Sequence, residues 1–104
     1  MISIRISGKN ESQIVDIAKT LLIEKLVIDV NLNRGVERLE LNENSVVTST
    51  VCLLTAKTKG LLFPKIDTLI REKYSESLPE IYSLPIIHMD WDQAKSLKAE
   101  VIQV

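Results

Sequence analysis

The chain is poor in the residues that usually carry chemistry. It has one cysteine, Cys52, in 104 residues. A single thiol excludes an internal disulfide and suits a reduced, cytoplasmic setting. It has one histidine, His88, near the C-terminus, and no nucleophile-elbow motif, so a Ser-His-Asp arrangement is not credible. Its three glycines, Gly8, Gly35 and Gly60, stand apart from one another, so no glycine-rich loop cradles a phosphate. Neither sign of charge dominates, with 13 basic side chains against 14 acidic. That balance excludes nucleic acid or an anionic membrane as the main partner, because both select a basic footprint. No apolar run approaches the ~20 residues that span a bilayer. The first residues, MISIRIS, alternate where a signal peptide would have an unbroken apolar core. These absences point away from an enzyme.

What is present is globular in balance: 45% hydrophobic and 26% charged. The length suits one domain, residues 1–104. So small a domain leaves much of its surface outside, and association with copies of itself would add stability.

Hydrophobic periodicity divides the chain into elements. Ile2, Ile4 and Ile6 alternate with Ser3, Arg5 and Ser7, as in a half-buried strand. Gly8 and Asn10 break it. From about residue 11 to 25, Ile14, Ile17, Ala18, Leu21 and Leu22 share one helical face, with Asn10 or Ser12 as the cap. Residues 26–42 and 46–57 are rich in β-formers. They read as two long antiparallel strands joined by a tight turn at Asn42-Glu43-Asn44-Ser45, with a bulge or bend at Gly35. Each exceeds the usual strand of about five to six residues. A hairpin of that length projects beyond a small domain and needs a surface to pack on. A second helix starts near residues 61–63, with Pro64 tolerated in its first turn.

The stretch LPEIYSLPI, residues 78–86, alternates like a strand yet is bracketed by Pro79 and Pro85. Proline suits a strand start or a sheet edge, so this strand belongs at an edge. In it Ile81 and Ser83 face one side, and Tyr82 and Leu84 the other. Asp90 then caps a short last helix. The order β-α-β-β-α-β is the split βαβ arrangement of ferredoxin-like domains. It is an α+β fold with a four-stranded antiparallel sheet and two helices on one face.

At this point particular residues match a known pattern. AKTLLIEKLVIDVNL, LLTAKT and LPEIYSLPI, in this order, resemble the CutA family of divalent-cation tolerance proteins. The most specific part is Pro79-Glu80-Ile81 through Pro85-Ile86. The resemblance covers residues 1 to about 87. It implies a homotrimer of ferredoxin-like subunits whose long hairpins wrap their neighbours, and a divalent metal ion such as copper as the associated ligand. Related PII-like signalling proteins bind small effectors in inter-subunit clefts and report to a partner protein. That is the alternative role. Three departures stand out. Asp29 occupies the position of the family's cysteine. LELNENS replaces the aromatic and glycine-containing hairpin pattern. Tyr74-Ser75-Glu76 stands where the family has His-Pro-Tyr. The soft thiolate and imidazole that attract copper are absent from those positions.

The candidate site residues follow. The resemblance puts Asn31, Lys57 and Glu80 at polar positions near the subunit boundary. An amine and a carboxylate converging there bind an anion or tune each other's pKa. Their structural alternative is a salt bridge that holds the trimer. Tyr82 and Trp91 offer faces for stacking on a base, or anchors for a subunit interface. His88, Asp90 and Asp92 form an H-x-D-x-D cluster whose nitrogen and oxygen donors suit a divalent ion. The alternative is a polar loop whose Asp90 caps a helix. Cys52, flanked by Val51, Leu53 and Leu54, reads as core.

Overall fold

A computed structural model describes residues 1–103 of the chain. The elements run β1 (Ile2–Gly8), α1 (Glu11–Ile23), β2 (Ile28–Asn42), β3 (Ser45–Thr58), α2 (Phe63–Lys73), β4 (Glu80–Pro85) and α3 (Trp91–Glu100). A 3-10 turn, Gly60–Leu62, leads into α2. The sheet is antiparallel in the order β2-β3-β1-β4. This is the ferredoxin-like topology expected from the element order, with α3 added.

Local chemistry explains the boundaries. Asn10 caps α1, its side chain accepting from the Gln13 N–H at 3.1 Å. The helix stops at Ile23, two residues before the expected end, because Lys25 turns left-handed at φ 56°. The Leu26 N–H then reaches the Leu21 carbonyl and the Lys25 N–H reaches that of Leu22. These are the two bonds of a Schellman ending, made here with lysine where glycine is usual. The turn between β2 and β3 holds Glu43 and Asn44 at φ 48° and 68°, the two positive values a type I′ hairpin requires.

β2 is interrupted twice. Its register with β3 shifts between Asn33 and Val36, around Gly35 at φ 67°, which is the bulge read from the glycine. A second shift lies between Ile28 and Asn31, around Asp29 at φ 53°. Hydrophobic periodicity held no warning of it, although aspartate is among the few side chains that tolerate this conformation.

The core lies between the sheet and the helices α1 and α2. Ile4, Ile6 and Leu54 meet Ile14, Ile17, Leu21, Ile66 and Ile70, all fully buried. Each such side chain stabilises by about 1.5–3 kcal/mol relative to exposure. Cys52 is buried on the same face. Thr58 is a fully buried polar side chain here, its hydroxyl donating to the Leu26 carbonyl. Leu97 of α3 and Val101 just after it join this core. The C-terminal end of α3 is tied down where Lys59 Nζ donates to the carbonyls of Val101 and Ile102, at 3.1 and 2.9 Å.

β4 pairs only with β1, so it is an edge strand. Pro79 precedes it and Pro85 is its last residue. The bracketing prolines therefore sit where no ladder hydrogen bond is lost. Ile81 packs on the core, while Tyr82 and Leu84 stand exposed on the other face.

Candidate functional site

Strand pairing defines what the second sheet face carries. Opposed residues share a face, so Arg5, Thr55 and Tyr82 lie in one row across β1, β3 and β4, continued by Asn31 on β2. Ser7, Leu53 and Glu80 form the next row, with Asn33. Ser3, Lys57 and Leu84 form the row on the other side. No helix of the βαββαβ unit covers these rows. The polar alternation of β1 places them there, because its isoleucines must all point at the helices.

At one end of this face lies a polar cluster around Lys57. Its Nζ stands 3.6 Å from an Asp29 carboxylate oxygen and donates to the side-chain oxygen of Gln93 on α3. Gln93 in turn donates from its amide to Asp90. Asp90 caps α3, accepting from the Gln93 N–H at 3.0 Å. These bonds from the backbone and side chain of Gln93 hold the Asp90 carboxyl below the usual range. Asn31 is exposed and donates to the Asp29 carbonyl at 3.3 Å. Beside the cluster, a groove of about 670 Å³ runs between the end of α1, the start of β2 and the end of α3. Lys25, Asp29, Lys98 and Glu100 line its polar part.

At the other end, Glu80 accepts from Arg38 at 3.0 Å, and Arg38 also donates to the Ser7 hydroxyl at 2.9 Å. Lys57 and Glu80, expected to converge at a subunit boundary, lie apart within the chain. Lys57 stands opposite Ser3 and Glu80 opposite Ser7, at the two ends of β1. Their observed partners, Gln93 and Arg38, were not singled out from the sequence. Arg38 lies an even number of residues beyond Val36 on a strand, so period-2 counting was the signal for it.

The metal cluster fares differently. His88 and Asp92 are exposed, and Asp90 is occupied by its cap. Among the described residues, no three His, Cys, Asp or Glu side chains gather as a metal set. Burial pushes the Cys52 thiol up, so it offers no ready thiolate. The donors of a single subunit therefore do not fit a closed divalent-ion site. Trp91 is 88% exposed and stacks on nothing within the described chain.

A third polar group joins the helices. Tyr74 donates its hydroxyl to Asp16, and Lys73 Nζ lies 2.9 Å from the same carboxylate. These bonds lower the Asp16 pKa, the tyrosine bond most strongly, while burial and then the Asp16 bond raise that of Tyr74. The group pins α2 to α1.

Together these features define a class: a ferredoxin-like α+β module with one packed sheet face, one bare polar face and an overlong hairpin. Known proteins narrow the class. Residues 2–100 match the CutA1 divalent ion tolerance protein family. A divalent-cation tolerance protein CutA from Thermus thermophilus is 32% identical over 80 residues, which cover 72% of this chain and 78% of that protein. The solved structure of the divalent cation tolerance protein from Thermus thermophilus superposes with a TM-score of 0.82 at 27% identity, covering 97% of this chain and 99% of that one. The periplasmic divalent cation tolerance protein CutA from Archaeoglobus fulgidus shares the fold, with a TM-score of 0.83 at 22% identity over 98% of this chain and all of that one. The chain belongs to the CutA1 divalent ion tolerance family. Among the described residues, no helix is long and apolar enough to cross a membrane.

Proposed function

We propose that the chain works as a cytoplasmic homotrimer linked to divalent-ion tolerance, acting by binding and not by catalysis, with its ligand site at the boundary between subunits. The observation that carries this is the bare sheet face beside an exposed hairpin. Every residue from Leu39 to Thr48 is exposed, including Leu39, Leu41, Val46 and Val47. An exposed apolar hairpin and an uncovered sheet face are both surfaces that a neighbouring subunit would bury. Asn31, Lys57, Glu80 and Tyr82 all lie on or beside that face, so assembly brings them to the boundary. A divalent ion held there draws donors from more than one subunit, with His88 and Asp92 as the exposed groups available.

The PII-like reading has its own support. Lys25 and Lys98 line a groove large enough for a small anionic effector, and Lys57 reaches its lining residue Asp29 at 3.6 Å.

Light scattering combined with thermal unfolding tests both. The expected mass is that of a trimer. Copper, zinc, magnesium, ATP and ADP are then added singly. A ligand bound only by the folded state, at 100-fold excess over Kd, stabilises by about 2.7 kcal/mol. Stabilisation by a metal, lost in His88→Ala or Asp92→Asn, supports the ion-binding form. Stabilisation by a nucleotide, lost in Lys57→Ala, supports the effector form. A monomer that no additive stabilises overturns the proposal.

A further inference from the structure

The charges on the bare face do not balance. Its cationic side chains are Arg5, Arg38 and Lys57. Among the described residues two carboxylates answer them, and both are taken: Glu80 by Arg38 at 3.0 Å and Asp29 by Lys57 at 3.6 Å. Arg5 is the surplus cation. It stands mid-sheet between Thr55 and Tyr82, and its Nε is buried without a hydrogen-bond partner among the described residues. A buried guanidinium nitrogen without an acceptor is costly, and native structures almost always supply one. Its row offers no carboxylate: Asn31, Thr55 and Tyr82 are neutral, and none of them accepts from its Nε. The Ser49 Oγ at the base of the hairpin is also buried and unpartnered, on the ribbon face that carries Arg38. Two buried polar atoms on one bare face mark a surface whose acceptors come from outside the chain.

The chain carries a complementary element. From Leu39 to Ala56 the only charged side chains are Glu40 and Glu43, both exposed. They lie among Leu39, Leu41, Val46 and Val47, which are 43–72% exposed. An apolar ribbon with two acids and no base matches a face with exposed Tyr82 and Leu84 and one unanswered guanidinium. We propose that Arg5 is the receptor for a hairpin-tip carboxylate, Glu40 or Glu43, of a second copy of this chain. Arg5 is thus the residue that selects and orients the hairpin of a neighbour. A guanidinium suits the task because its planar fork takes a carboxylate in two parallel hydrogen bonds, which sets register as well as affinity. The inference rests on the oligomeric reading above and adds to it a named ion pair.

The test measures molar mass by light scattering over a dilution series for the full chain and its variants. The wild type assembles. Arg5→Gln weakens assembly roughly 30-fold or more, as loss of one partner of a buried charge pair does. Neutralising the matching acid, Glu40→Gln or Glu43→Gln, weakens it comparably. Arg5→Glu abolishes assembly, and combining it with Glu40→Lys or Glu43→Lys restores it. That restoration separates a charge pair from a folding defect. A wild type that stays monomeric at every concentration removes the oligomeric reading and this inference with it. A trimer unchanged by Arg5→Gln removes the inference alone. A phosphate-induced rise in melting temperature that Arg5→Gln abolishes, with assembly intact, overturns it in favour of a free anion.

Discussion

The two faces of one sheet have opposite chemistry. On the helix side, Ile4, Ile6, Leu54 and Ala56 are sealed under α1 and α2, and the one buried hydroxyl, on Thr58, has its acceptor. On the other side Arg5 and Ser49 keep buried polar atoms without partners, while Tyr82 and Leu84 remain exposed. The first face is complete within one chain. The second is not. The fold is therefore carried by one set of residues on these strands, and the proposed association falls to a different set on the same strands.

Substitutions can break this contrast. The largest effect is expected at Leu54→Ala. Leu54 is fully buried, so the change lowers unfolding stability by about 2–5 kcal/mol, measured by urea titration. Leu84→Ala, at a side chain 41% exposed in the bare-face row of Ser3, tests the opposite face. It should leave subunit unfolding within about 0.5 kcal/mol of wild type and lower the associated mass. Equal losses at both positions would erase the distinction. Thr58→Val comes next. It strips the donor from the buried Leu26 carbonyl and should cost about 1–3 kcal/mol.

Gly35→Ala sharpens the contrast at the hairpin base. A Cβ there meets nothing within 4 Å, so the cost is conformational alone, about 1–2 kcal/mol for a left-handed residue. A larger loss would mean that the bulge also aims the hairpin. The smallest effect is electrostatic. Asp16 titrates below its ordinary range because Tyr74 and Lys73 hold it ionised. Its contribution is present above the ordinary aspartate pKa and is lost as pH falls through the lowered folded value. Tyr74→Phe should therefore be less stable than wild type at neutral pH, and the gap should close under acid. Melting temperature against pH measures both arms.

Much of this architecture was legible in local pattern. Alternating isoleucines in residues 2–6 marked β1, and Asn10 and Asp90 were recognisable caps. Gly35 announced a bulge, and the paired prolines announced an edge strand. Each is a short-range signal, because dihedral preference and strand period act within a few residues. The Asp29 bulge escaped because aspartate enters the left-handed region only when context demands it. The candidate site was less legible. Asn31, Lys57 and Glu80 were expected near a subunit boundary; strand register puts them with Tyr82 on one sheet face, and the partners of Lys57 and Glu80 were not foreseen. Asp90 shows the same limit: the sequence allowed a metal ligand or a cap, and the folded chain uses it as a cap.

By itself the sequence determined the order of elements, the face each strand buries, the family and the length of the hairpin. These follow from periodicity, proline and glycine chemistry and the Pro-Glu-Ile motif. Only the tertiary structure decided that Glu80 answers Arg38 and leaves Arg5 alone, and that α3 brings Gln93 to Lys57. Those pairings depend on strand register and on the docking of distant segments. Coulomb and hydrogen-bond energies depend on distance in space, which residue spacing along the chain does not specify.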